Sequence, residues 1–368
     1  MKKVLSVFGT RPEAVKMLPL VKKIEQTPGL QSIVCITAQH REMLDQVMNI
    51  FDVKANYDLN VMKPGQTLTS ITAAVLTGLE PILQECQPDI VLVHGDTTTS
   101  FVAALAAFYQ QIPVGHIEAG LRTFDRYSPF PEEVNRTMTG KLATYHFAPT
   151  STNVANLAAE SITENVYLTG NTVIDALLSI VRGDYAFKSP ALQKLDLQSG
   201  RVILMTAHRR ENLGQPMRNI FEAVLNIVNT YRDVRVIYPV HKNPAVLNLA
   251  HEILGKHDRI HLIEPLDVDD MHNLMAQCHL ILTDSGGIQE EAPSLGKPVL
   301  VLRTETERPE AVEAGTVKVV GVEKDIIIAE ASKLLNDENA HSAMAKAVNP
   351  YGDGKACERI VEVLATQL

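Results

Sequence analysis

Apolar and polar residues fall in blocks along this chain. Short runs rich in β-branched residues recur, each followed by polar or glycine-containing turns and then by a stretch of helical period. Val4 to Phe8 is the first run, closed by Gly9-Thr10-Arg11-Pro12. Ile33 to Thr37, Ile90 to Val93, Tyr145 to Pro149 and Val166 to Gly170 follow, with Pro113-Val114 as a further strand entry. Runs this short and this apolar predict buried parallel strands. Between them, Leu68 to Leu83 and Thr97 to Gln110 predict helices, and Asn171 to Ala186 a connecting helix. Asn60 to Gln66 and Thr123 to Glu133 lack periodicity and predict loops.

The pattern then restarts. Lys188 to Gly200 is a polar excursion, after which Val202 to Met205, Val234 to Tyr238, Ile260 to Ile263 and the run from Leu280 repeat the strand signal. The segment Asp89 to Gly120 and the segment Leu280 to Leu302 share one layout of strand, turn, small-residue helix and second strand. The expectation is an α/β chain of two Rossmann-like domains facing across a cleft. Residues 1–170 form the first and 171–354 the second. The amphipathic tail at 355–368 packs back on the first.

Length agrees with this division, since 368 residues exceed one ordinary core. A net charge of −9 argues against a general nucleic-acid surface. Cys35, Cys86, Cys278 and Cys357 are scattered and read as reduced cytosolic thiols, so a cytoplasmic protein is expected. No apolar run is long enough to span a bilayer, and the histidine spacings suggest no metal site. Walker, G-x-G-x-x-G and H-E-x-x-H motifs do not occur.

Open α/β sheets bind ligands at the carboxyl ends of their strands, so polar residues there are the candidates. Ser285-Gly286-Gly287 opens a helix and offers uncrowded amides to a phosphate, with Glu290 and Glu291 one turn later, placed for ribose hydroxyls. Arg11 and Lys16 follow the first strand; the plain alternative for Arg11 is a surface salt bridge. Asp96 reads equally as a helix cap and as a catalytic acid, two roles that do not exclude each other, and Glu118 ends a strand among small residues. Glu132 and Glu133 open a helix, where the dipole favours acids in any case. His208, Arg209 and Arg210 form a basic cluster, and His241 stands at another strand exit.

The motifs FGTRPEAVKM, TAQHREMLDQV, VHGDTTT, GHIEAGLRT, PEEVNR, HRREN, TDSGGIQEEAPSLGKPVL, TERPEA and NPYGDG, in that order, span nearly the whole chain. Together they resemble the non-hydrolysing UDP-N-acetylglucosamine 2-epimerases. The resemblance implies the glycosyltransferase-B architecture and a cytosolic homodimer without metal or other cofactor. It also implies reversible conversion of UDP-GlcNAc to UDP-ManNAc, which would supply ManNAc for cell-surface polysaccharide. The rival readings are a hydrolysing epimerase, a sugar transferase of the same fold, and a sensor without turnover. By matched motif, Asp96, Glu118, Glu132 and His208 are the catalytic candidates, the three carboxylates lying in the first domain. Arg11, Lys16, His241, Leu266, Ser285, Gly286, Gly287, Glu291 and Arg308 would hold UDP, mostly from the second domain. Gln39, Arg209 and His241 match the site where some members bind a second substrate molecule as activator. Glu42 and Gly65 stand where activated members carry glutamine and arginine, so strong activation by substrate is not expected.

Overall fold

The computed structural model of the chain describes residues 1–37, 41–61 and 65–368, without the side chains of 41–43. It divides into two compact units, 1–179 with 351–368, and 180–350.

The first unit is built on seven parallel strands: β1 (Lys2–Phe8), β2 (Leu30–Ile36), β3 (Tyr57–Asp58), β4 (Ile90–His94), β5 (Val114–Ile117), β6 (Tyr145–Ala148) and β7 (Val166–Leu168). Their order is β3-β2-β1-β4-β5-β6-β7. The chain therefore winds outward in one direction from β1, returns, and winds outward in the other from β4. A crevice opens at this switch point because the connections leave β1 and β4 on opposite faces of the sheet. Strand pairing sets the register there, with Val4 opposite Ile90 and His94 opposite Ile117.

The second unit repeats the plan with β8 (Arg201–Thr206), β9 (Val234–Pro239), β10 (Ile260–Ile263), β11 (Leu280–Thr283), β12 (Val299–Val301) and β13 (Val317–Val319). The order β10-β9-β8-β11-β12-β13 puts its switch point between β8 and β11. Thr206 pairs with Thr283 at the carboxyl end of these two strands, and their hydroxyl oxygens lie 2.6 Å apart. Both units are thus Rossmann-like, as the recurring strand signal predicts.

Each sheet carries its own core. In the first unit Leu5, Val7, Val91 and Val93 meet Val75 and Leu79 of the helix Leu68–Cys86, and Val102, Ala103, Ala106 and Ala107 of the helix Thr98–Tyr109. The alanines let that second helix lie close on the sheet. In the second unit Phe221 packs against Tyr238 with ring centroids 5.7 Å apart, and the buried Tyr238 hydroxyl donates to the Ala207 carbonyl. Burying each large apolar side chain fully is worth about 1.5–3 kcal/mol. A continuous row of them on every central strand therefore outweighs any single polar contact.

The boundary differs from the expected one. The helix predicted over 171–186 runs only Thr172–Ile180, and its first residues belong to the first unit. The chain beyond it is held as an irregular segment by Asp270, which accepts from the Tyr185 hydroxyl and the Lys188 and Ser189 amides. A buried acid that collects three donors from a distant stretch of chain competes successfully with one more helical turn. At the other end the crossing point is Pro350–Tyr351 rather than 354. The terminal helix Ala356–Gln367 packs on the helix Arg11–Glu25. Asp175 accepts from the Ala356 and Cys357 amides at its start.

Candidate active site

In the first unit the switch point gathers three of the expected residues. Arg11 begins the helix after β1, Asp96 lies two residues beyond β4, and Glu118 follows β5 directly. The helix after β4 is capped by Thr97, whose hydroxyl accepts from the Ser100 amide. Asp96 is therefore not the cap, and its carboxylate is left for another task. It pairs with Arg136, while its carbonyl accepts from the Asn135 side chain at 3.0 Å.

Glu118 is held in the left-handed region at φ +62°. A non-glycine residue there costs about 1 kcal/mol or more, which the surroundings must over-determine. They do so through Lys16, which forms an ion pair with Oε2, and Asn171, which donates to the same oxygen at 3.3 Å. His94 Nε2 lies 3.2 Å from it as well. Lys16, expected to hold UDP, is thus bonded to a carboxylate of its own unit. Among the described residues Arg11 makes no hydrogen bond or ion pair.

The two carboxylates are pushed in opposite directions. Burial raises the Asp96 carboxyl above its ordinary range; Arg136 works against this and the Glu118 charge adds to it. Burial would also raise Glu118, but Lys16 and then His94 outweigh it and hold that carboxyl well below the usual range. Two carboxyls at neighbouring strand ends are thus shifted in opposite directions by different surroundings.

Glu132 opens the helix Glu132–Leu142 and stands one turn before Arg136. It is partly buried and pairs with nothing among the described residues. The next residue, Glu133, instead accepts from the Thr123 and Phe124 amides, fixing the base of the long loop before it.

Glu13 was not singled out from the sequence. Its buried carboxylate accepts from the Gly9 and Thr10 amides, the Thr10 hydroxyl, and the Thr97 and Ser100 hydroxyls. It ties the β1 exit to the β4 exit. The T-x-x-E pattern at Thr10 was the available signal.

In the second unit the switch point holds His208, Arg209 and the Ser285 turn. Ser285 precedes a short helix, Gly286–Glu291. A Cβ built on Gly286 would lie 3.8 Å from a guanidinium nitrogen of both Arg209 and Arg308. Two cations therefore flank the backbone where an anion was expected. Arg308 is oriented by an ion pair with Glu290, so Glu290 is occupied and Glu291 is the acid left near the turn. Glu291 lies 3.2 Å from the buried imidazole of His272. His241 stacks on His208 with ring centroids 5.5 Å apart and planes 13° from parallel. Leu266 is half-buried between β10 and the helix Val268–Gln277. Gln39 lies outside the described residues, as does the Glu42 side chain. Gly65 has φ +73° with open space about it.

The family model for UDP-N-acetylglucosamine 2-epimerase matches residues 22–365, nearly the whole chain. The chain belongs to that family. The Bacillus subtilis UDP-N-acetylglucosamine 2-epimerase is 56% identical over 363 residues, covering 98% of this chain and 94% of the relative. Among epimerase structures, the Neisseria meningitidis UDP-GlcNAc 2-epimerase solved with UDP-GlcNAc superposes with a TM-score of 0.85 at 51% identity, covering 99% of both chains. A Staphylococcus aureus protein solved with UDP gives a TM-score of 0.88 at 54% identity, covering 100% of this chain and 97% of that one.

Among the described residues no group of three or more His, Cys, Asp or Glu side chains is arranged to hold a metal ion, and no helix is long and apolar enough to cross a membrane.

Proposed function

We propose that this member of the epimerase family inverts C2 of UDP-GlcNAc reversibly, giving UDP-ManNAc without net hydrolysis. The observation that carries the reading is the pair of carboxylates at neighbouring strand ends, Asp96 held by Arg136 and Glu118 by Lys16 with His94 3.2 Å away. The C2 proton is not next to a carbonyl, so direct abstraction is too slow. Elimination of UDP to 2-acetamidoglucal, followed by re-addition with the proton delivered to the other face, avoids that barrier. Such a route needs an ionised base and a protonated acid close together, and strong stabilisation of the departing diphosphate. The first unit supplies Asp96 and Glu118, with Glu132 nearby in sequence on the helix of Arg136. The second supplies His208, Arg209, Arg308 and the Ser285-Gly286-Gly287 backbone for the diphosphate, Glu291 for the ribose, and Leu266 with His241 around the nucleotide. Arg11 and Lys16, at the exit of β1 in the first unit, are assigned to the phosphates. On this reading the enzyme acts in the cytoplasm as a homodimer and supplies ManNAc units for polysaccharide.

Incubation of UDP-GlcNAc with the enzyme in deuterated water, followed by NMR, tests this. UDP-ManNAc carrying deuterium at C2 is the expected product. Free ManNAc with UDP would make the protein a hydrolysing epimerase, and unlabelled, unchanged substrate would make it a binder or a transferase awaiting an acceptor.

A further inference from the structure

Asp284 lies between β11 and the Ser285 turn and is completely buried. An isolated buried carboxylate is costly, and it persists only where both oxygens meet donors. One oxygen is well served. Oδ2 accepts from the His208 amide at 2.8 Å, the Arg209 amide at 2.8 Å and the Asn212 side chain at 3.1 Å. Asn212 in turn donates to the Leu302 carbonyl, so the His208-Arg209 loop is pinned to the strand ends.

The other oxygen, Oδ1, is buried and has no hydrogen bond among the described residues. The group facing it is Nδ1 of His208, 3.3 Å away. The imidazole itself is 40% exposed, so a small rotation of the ring completes the bond without disturbing the core. Catalytic hydrogen bonds are often long before a ligand arrives and tighten when it does. The carboxylate can only accept, so this contact requires the proton on Nδ1, which leaves Nε2 unprotonated on a ring that stacks on His241.

Resting on the reading above, we infer that Asp284 is a positioning residue that fixes the tautomer of His208 and steadies its protonated form when UDP departs. In the step this pair would support, Nε2 takes a proton from solvent as the substrate binds, gives it to the diphosphate oxygen as the C1–O bond breaks and recovers it when UDP re-adds, with Asp284 supplying compensating charge. The isosteric Asp284→Asn isolates this role. Its amide oxygen still accepts from the two loop amides and Asn212, while an N–H now faces Nδ1 and drives the histidine proton to Nε2.

The test is long-range proton–nitrogen NMR of the full-length protein labelled with 15N-histidine, at pH 8. The His208 signals are assigned by their loss in His208→Gln. The unsubstituted enzyme should show Nδ1 protonated and Nε2 bare; Nε2–H there would overturn the inference whether or not any variant folds. Asp284→Asn should reverse the tautomer and lower kcat by about 100-fold or more, with UDP affinity by calorimetry within a few-fold. An unchanged tautomer, or a kcat loss matched by an equal loss of UDP affinity, would leave Asp284 a loop anchor and defeat the proposal. An enzyme inert toward UDP-GlcNAc would defeat the epimerase reading, yet the tautomer would still be read from the same spectra.

Discussion

Glu118 and Asp96 show how a side chain's chemistry is set by what surrounds it. Both are carboxylates at neighbouring strand ends, yet Lys16 and His94 crowd one while the other has Arg136 and burial in opposition. Asp96→Asn removes the carboxylate paired with Arg136 and keeps its shape. Turnover should fall to background while UDP affinity, measured by calorimetry, stays within a few-fold. Loss of UDP binding would instead assign Asp96 a structural task through its contact with Arg136. Glu13 belongs at this scale too. Five donors on one buried carboxylate hold two strand exits in a fixed relation, so the distance between Arg11 and Asp96 is not left to loop flexibility.

At the scale of elements, the turn after β5 is the most constrained piece of the first unit. Glu118 sits at φ +62° and Gly120 at φ +91° within three residues. A Cβ on Gly120 would fall 2.3 Å from the Asn153 carbonyl oxygen, a backbone atom that cannot swing away. Gly120→Ala should therefore destabilise the protein by about 2 kcal/mol or more, read from the midpoint of denaturant unfolding. It should lower kcat as well, because the displaced backbone carries Glu118. An unchanged midpoint would mean that the strand β5 exit is free to adjust.

The whole molecule carries an acid liability through its buried histidines. His116 donates from Nε2 to the Gly95 carbonyl at 2.7 Å, holding the turn that presents Asp96, and its Nδ1 has no partner. Burial pushes its pKa down to about 3, and that of His146, opposite it on β6, to about 4. A histidine with a depressed folded pKa binds fewer protons than in the unfolded chain. Its stabilisation is complete above the unfolded value and lost as pH falls below it. From pH 7 to pH 5 His116 alone should cost about 2 kcal/mol of stability. Unfolding free energies of the enzyme and of His116→Gln at the two pH values should show a shallower pH dependence in the variant; identical slopes would place the liability elsewhere.

The periodic apolar runs determined the fold class, the repeated unit and the strand positions, because a buried parallel strand must be apolar along its length. The motifs likewise determined the family and the residue types at the strand ends. Only tertiary structure decided which of those residues meet. That Lys16 grips Glu118, and that Glu290 is spent on Arg308 while Glu291 is not, depend on partners further along the chain than a local pattern reaches. Glu13 and Asp284 escaped the sequence reading for the same reason: a lone acid beside a turn looks alike whether it faces solvent or collects donors from several elements. The chain's course beyond Ile180 was decided by long-range contacts as well, since local helical period says nothing about the hydrogen bonds that Asp270 accepts from donors 81 or more residues away.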